Sequence, residues 1–227
     1  MGTIRNLLFF SALLISTYAS ARVPKISDMR CEYRNSPLGI ETSVPRFTWT
    51  YTGNDPDFVQ KSVIFYLSDV KNQVEKGVGS SLFVKEYGVE DPFLECELSS
   101  VLKPHTQYYW KVEVCGTEGR KTVSDISAFE TSKLTGQDWK GVWISDGRSK
   151  DYPAAPMFRK TFSVKKGIRQ ARLYISGLGY YYAWINGEKV GDRMLDPAYT
   201  HFDKRVYYTT YDVTSLLNAG KNSISAH

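Results

Sequence analysis

Histidine and cysteine are both scarce, three of each in 227 residues. Their positions match no zinc-ligand spacing, so nothing in the sequence assembles a metal centre. Cofactor motifs are also wanting. There is no phosphate-cradling loop, no dinucleotide fingerprint and no serine-nucleophile signature. Ser176-Gly177-Leu178-Gly179 is a glycine pair that a tight strand connection explains. No cofactor is expected. Basic residues form no block: the formal charge is +5, with Lys, Arg, Asp and Glu interspersed. That argues against a nucleic-acid partner and for a mixed-sign surface.

Long apolar runs are confined to the N-terminus. Leu7 to Ile15 is apolar but too short to cross a bilayer, so no transmembrane anchor is expected. Arg5 precedes this run and Ala19-Ser20-Ala21 follows it, the pattern of a signal peptide over residues 1–21. Cleavage after Ala21 predicts an exported chain that starts at Arg22, periplasmic or extracellular. Export permits disulfides, yet an odd cysteine count leaves at least one thiol. Leu94, Cys96 and Leu98 alternate on one face, Cys31 lies with Met29 and Tyr33 on an inward face, and Cys115 turns outward. Strand parity therefore favours buried free thiols at Cys31 and Cys96 over a disulfide.

What the chain does have is aromatic residues, 14% of the total, including 16 tyrosines. These suit strands. Residues 25–134 read as one β-sandwich. Strands are expected over Ile26–Tyr33, Arg46–Tyr51, Ser62–Ser68, Leu82–Tyr87, Phe93–Leu98, Tyr109–Cys115 and Phe129–Thr131. Trp49 and Trp110 fall on inward faces. Leu102-Lys103-Pro104-His105-Thr106-Gln107-Tyr108 resembles the tyrosine corner of fibronectin type III domains, with Tyr108 as the corner residue.

Residues 135–227 form a second module centred on a hairpin. Tyr180 to Ile185 is aromatic and β-branched, and Asn186-Gly187 fits a type I′ turn into Glu188-Lys189-Val190. About six strands are expected, from Met157, Ala171, Tyr180, Glu188, Arg205 and Asn222, with Asp212 capping a short helical turn through Leu217. A jelly roll needs about eight strands. The fold class expected is all-β: a fibronectin type III-like sandwich followed by an incomplete jelly-roll-like sandwich. An unpaired edge or an uncovered apolar face should result.

Two sets of motifs carry a family resemblance. One runs from Ser176-Gly177 through Ile185-Asn186-Gly187, Val190-Gly191-Asp192, Leu195-Asp196-Pro197, Tyr199-Thr200 and Asp203-Lys204-Arg205 to Tyr211-Asp212-Val213-Thr214. It resembles the N-terminal sugar-binding-type module of bacterial α-L-rhamnosidases. The other comprises Arg30-Cys31-Glu32-Tyr33, Pro37-Leu38-Gly39-Ile40 and Pro45-Arg46-Phe47 with Trp49, and resembles the fibronectin-like domain that precedes that module. The resemblance implies the N-terminal, non-catalytic part of an exported glycoside hydrolase of terminal α-L-rhamnosides, with its catalytic helical barrel elsewhere. The implied partner is a rhamnose-containing glycan or the missing catalytic domain. A standalone carbohydrate-binding protein or an adhesion scaffold is the alternative.

Glycoside hydrolysis needs two carboxylates across the scissile bond. Asp196 and Asp203 share a loop, where capping and solvation explain them, and no catalytic residue is assigned. Sugar binding needs aromatic faces for pyranose C–H surfaces and polar groups for hydroxyls. Tyr181, Trp184, Tyr199, His201, Asp203 and Arg205 are the candidates. Tyr180, Tyr182 and Trp184 alternate on one side of a strand, which also suits a core face; the Tyr199–Arg205 loop suits exposed contacts or a domain interface.

Overall fold

The computed structural model describes residues 23–53, 55–134, 139–149 and 151–227, so the expected signal peptide over 1–21 lies outside the described residues. The first sandwich contains β1 (Lys25–Cys31), β2 (Arg46–Thr52), β3 (Gln60–Ser68), β4 (Phe83–Tyr87), β5 (Phe93–Glu95), β6 (Gln107–Gly116), β7 (Lys121–Val123) and β8 (Ser127–Glu130). One sheet runs β1-β2-β5; the other runs β4-β3-β6-β7, with β8 also on β6. All of these pairings are antiparallel.

Alternation decides which side chains meet between the sheets. Along β6, Tyr108, Trp110, Val112 and Val114 are buried while their neighbours are not. With Val63, Phe65 and Leu67 of the neighbouring β3 on the same sheet, they face Phe47 and Trp49 of β2 in one core. The Phe47 ring lies 4.6 Å from Phe65 and 4.7 Å from Trp110, both tilted. Burying each such side chain contributes about 1.5–3 kcal/mol. The tyrosine corner is formed: Tyr108 donates its hydroxyl proton to Val101 O at 3.0 Å and accepts from Lys103 N at 2.9 Å. Leu94, Cys96 and Leu98 are all buried, and all three cysteines are free.

Three details depart from the sequence reading. Tyr33 is 56% exposed rather than inward, because β1 ends at Cys31 and positive φ at Glu32 and Tyr33 turns the chain out. Strand β7 was not anticipated. Neither was a helix, α1 (Lys71–Lys76), which buries Val74 and stops at Gly77, where φ is +70° and the N–H bonds Gln73 O at 2.9 Å. Six residues are too few for a 3.6-residue period to stand out.

The second module contains β9 (Phe158–Val164), β10 (Arg172–Ser176), β11 (Ala183–Ile185), β12 (Glu188–Lys189), β13 (Tyr208–Asp212) and β14 (Gly220–Ala226). One sheet has the order β12-β11-β14-β9, and β10 pairs with β13 in the other. Asn186 and Gly187 both have positive φ, so the β11–β12 turn is the expected one. Asn186 also donates to Leu216 O and Asn222 Oδ1, both at 2.8 Å. Asp212 sits at the end of β13 and accepts from Thr214 N at 2.9 Å, an Asx turn leading into a 3-10 turn at Thr214–Leu216.

The β10–β13 pair has two faces, and both are used. Leu173, Ile175 and Tyr211 pack inward on Ala183, Ile185, Val190 and Val213. The opposite face, with Arg172, Tyr174, Tyr208 and Thr210, meets the end of the first sandwich. There Arg172 and Gln170 bond Glu130, His105 Nδ1 shares a proton with Tyr174 Oη at 2.9 Å, and Tyr208 bonds Glu41 and Ser132. Lys133 lies 5.0 Å from the Trp139 ring and 5.9 Å from the Tyr174 ring. Gly39 approaches β13 so closely that a Cβ there would meet Thr210 Oγ1 at 2.6 Å.

Candidate functional site

This interface leaves a cleft of about 930 Å³ to one side. Its first wall is the Arg34–Gly39 turn with Glu41; its second is the loop from Arg193 through Ala198 and on through Arg205 to Thr210, with Trp139 at the side. The volume suits a small organic ligand. A smaller depression of about 390 Å³, lined by Asp28, Lys71, Tyr109 and Asp125 among others, lies on the first sandwich alone and holds one aromatic ring.

The second wall is built from Asp196 outward. Asp196 is buried, bridges to Tyr181 through the backbone, and accepts a hydrogen bond from the Tyr211 hydroxyl. Arg193 approaches the same carboxylate at 3.7 Å. Burial raises the Tyr211 phenol's pKa, and its bonds to Asp196 and Tyr181 raise it further. Gly191, at φ +71°, admits the Tyr211 ring; a Cβ there would lie 2.4 Å from Cε1. The Asp196 carboxylate is therefore a structural acceptor that fixes the loop. On the first wall, Glu41 accepts from Tyr208 at 2.6 Å, and burial, then Glu41, raises the Tyr208 pKa. The Tyr208 ring stands edge-on to Trp139 at 5.0 Å.

Both acids on the cleft are thus engaged. Among the described residues, Arg34 and Arg205 have no ion pair; the Arg205 guanidinium lies 5.9 Å from the Tyr207 ring. Tyr207 is 44% exposed and Trp139 40%. The cleft can present aromatic edges and two uncommitted guanidinium groups to a ligand.

The sequence candidates do not converge here. Of the six, only Arg205 lines the cleft. Tyr199, His201 and Asp203 are exposed on the same loop outside it, with Tyr199 packed on Phe202 at 5.1 Å. The loop stays compact through Lys204 N and Arg205 N, both bonded to His201 O at 2.9 Å, and so strand β13 begins at Tyr208 rather than Arg205. Tyr181 packs into the second core. Trp184 lies on the opposite sheet, half-buried, at 6.1 Å from Tyr182.

The inward parity expected for Tyr180, Tyr182 and Trp184 is reversed. Ala183 and Ile185 are the buried side chains of β11, and Tyr180 is 53% exposed. Alternation fixes two faces but not which one the β10–β13 pair covers. Sequence reasoning missed Trp139, Arg34 and Arg193 as cleft residues. They lie far apart in the chain, and no local spacing links them.

Comparison with known proteins agrees with this architecture. A family model described as the Rha78A-like N-terminal immunoglobulin domain matches residues 26–135, and one described as the alpha-L-rhamnosidase N-terminal domain matches residues 166–227. An alpha-L-rhamnosidase of Formosa agariphila is 29% identical over 96% of this chain and 26% of its own length. The solved alpha-L-rhamnosidase of Dictyoglumus thermophilum superposes with a TM-score of 0.80 at 31% identity, over 89% of this chain and 24% of that one. That of Aspergillus terreus gives 0.76 at 31% identity, over 90% and 23%. The chain spans about a quarter of the length of the relatives it matches. It is a homologue of the N-terminal region of the α-L-rhamnosidases.

Proposed function

We propose that this region is the exported, non-catalytic N-terminal part of an α-L-rhamnosidase, and that its second module is a docking surface for the remainder of such a protein. The observation that carries this reading is a mismatch between core and surface. Four apolar side chains are buried in the second core. Meanwhile Val142, Trp143, Ile144, Met157, Met194 and Leu195 are all more than 60% exposed. Val142 to Ile144 and Met194-Leu195 are consecutive exposed apolar runs, which is what an interaction surface presents. The occupant follows from length, since about three quarters of each relative lies outside the matched region.

The chemistry points the same way. Asp196 is committed to Tyr211 and Arg193, and Asp203 stands exposed on a loop, so the two do not form an acid–base pair across a shared substrate site. Hydrolysis of terminal α-L-rhamnosides would then belong to the rest of the protein. Export rests on the N-terminal segment 1–21 and predicts a mature chain beginning at Arg22; N-terminal sequencing of the secreted protein checks it. Among the described residues, no helix is long and apolar enough to cross a membrane.

Docking is tested by mixing the purified chain with a relative's C-terminal three quarters, expressed without its own N-terminal region. The two should co-elute, and Leu195→Asp should abolish association while leaving the circular dichroism spectrum intact. Absence of association with the unmutated chain would refute the docking role.

A further inference from the structure

We infer that the cleft between the two sandwiches binds an acidic saccharide, one bearing a carboxylate or a sulfate. The inference goes beyond the docking role, and only its saccharide class rests on homology to the α-L-rhamnosidases. Of the five charged groups on the cleft, three are guanidinium groups and two are carboxylates. Glu41 is held by Tyr208 at 2.6 Å, and Asp196 by Tyr211 and Arg193. Asp196 is paired with Arg193, whereas Glu41 keeps its charge with one oxygen on Tyr208, so the three guanidinium groups outnumber the two carboxylates by one. Arg34 and Arg205 are left over, one on each domain, with no carboxylate paired to either among the described residues. A planar fork of N–H donors fits a carboxylate or sulfate oxygen pair better than it fits a single hydroxyl.

Trp139 and Tyr207 supply the other half of saccharide recognition. Both rings are partly exposed at the cleft, where they can take the C–H face of a pyranose. The volume of about 930 Å³ leaves room for more than one sugar ring. Because the walls come from different domains, the site exists only while the domains stay docked. Glu130–Arg172 and Gly39–Thr210 hold that docking.

The test is titration calorimetry on the mature chain with D-glucuronate oligosaccharides, a sulfated oligosaccharide and neutral L-rhamnose oligosaccharides. At least one acidic series should bind about tenfold more tightly than the neutral one, and added salt should weaken it. The two acidic arms separate a carboxylate from a sulfate ligand. The double substitution of Arg34→Ala with Arg205→Ala, and Tyr207→Ala singly, should each remove binding. Trp184→Ala, on the other sheet, should leave it unchanged. Circular dichroism guards against unfolding, since Arg34 and Arg205 are exposed and make no structural ion pair. Equal affinity for neutral and acidic sugars would overturn the inference, as would binding that survives the double substitution or no saturable binding of either acid. None of these outcomes bears on docking, which is read by co-elution.

Discussion

Arg172 holds Glu130 with two prongs: Nε reaches Oε1 at 2.9 Å and Nη2 reaches Oε2 at 2.8 Å. One residue ends β8 of the first sandwich; the other begins β10 of the second. The Glu130 side chain is 3% exposed and that of Arg172 12%. Arg172 also reaches Asp212 at 2.9 Å. Desolvation opposes ionisation of Asp212, but its bonds to Thr214 and Arg172 outweigh it and keep that carboxyl below its ordinary range.

Breaking this pair should be costly, because the largely buried Arg172 is left with only the more exposed Asp212 as its counter-charge. Glu130→Ala is expected to lose about 3–5 kcal/mol of domain coupling. Urea unfolding followed by tryptophan fluorescence should show one transition separate into two. An unchanged curve would mean that the pair contributes nothing to docking.

Gly39 tests the same interface by sterics. Its φ is +80°, where side chains are strained, and a Cβ would lie 2.6 Å from Thr210 Oγ1. Gly39→Ala should destabilise docking by at least about 1 kcal/mol. Limited proteolysis should then cut more readily in the boundary between residues 131 and 157. The paired change Gly39→Ala with Thr210→Ala should recover part of the loss.

The cysteines predict both reactivity and alkaline sensitivity. Burial pushes the Cys96 thiol up to about 11 and raises Cys31 further. A thiol reagent at pH 8 should therefore modify Cys115, which is half-buried, well before Cys31 and Cys96. Because the folded values are raised, this stability is fully present below the unfolded value of about 8.5 and is lost as pH rises toward 11. Thermal melts between pH 7 and 11 should show Tm constant at first and falling above about pH 9. A rising Tm over that range would reverse the assignment.

The two sandwiches should also differ in resistance. The first has a broad shared core; the second leaves apolar side chains in water at roughly 25 cal/mol per Å² of burial forgone. Proteases should cut within residues 139–207 before 25–130, and a hydrophobic dye should bind the folded chain. Equal resistance of both halves would contradict the account of the second module as a surface awaiting cover.

The first sandwich was readable because its signals are local. The alternation of Tyr108, Trp110, Val112 and Val114 names the inner face of β6, and the run before Tyr108 names the corner. Asn186-Gly187 likewise announces its turn. The Tyr180–Ile185 run failed at one step. Its period was visible, but its inner face is set by residues 172–176 and 208–212, which no local pattern connects to it. The cleft was illegible for the same reason. Arg34, Trp139 and Arg205 are gathered by the docking of two domains. The resemblance to α-L-rhamnosidases identified the modules, whereas geometry was needed to bring their residues together.

The central claim is that this region supplies surface rather than hydrolytic chemistry. It is tested most directly by incubating the pure mature chain with an aryl α-L-rhamnoside and measuring release of the aryl group. The account predicts a rate equal to that of buffer alone. Turnover that co-purifies with the folded chain, and that Asp196→Asn or Asp203→Asn abolishes, would contradict it.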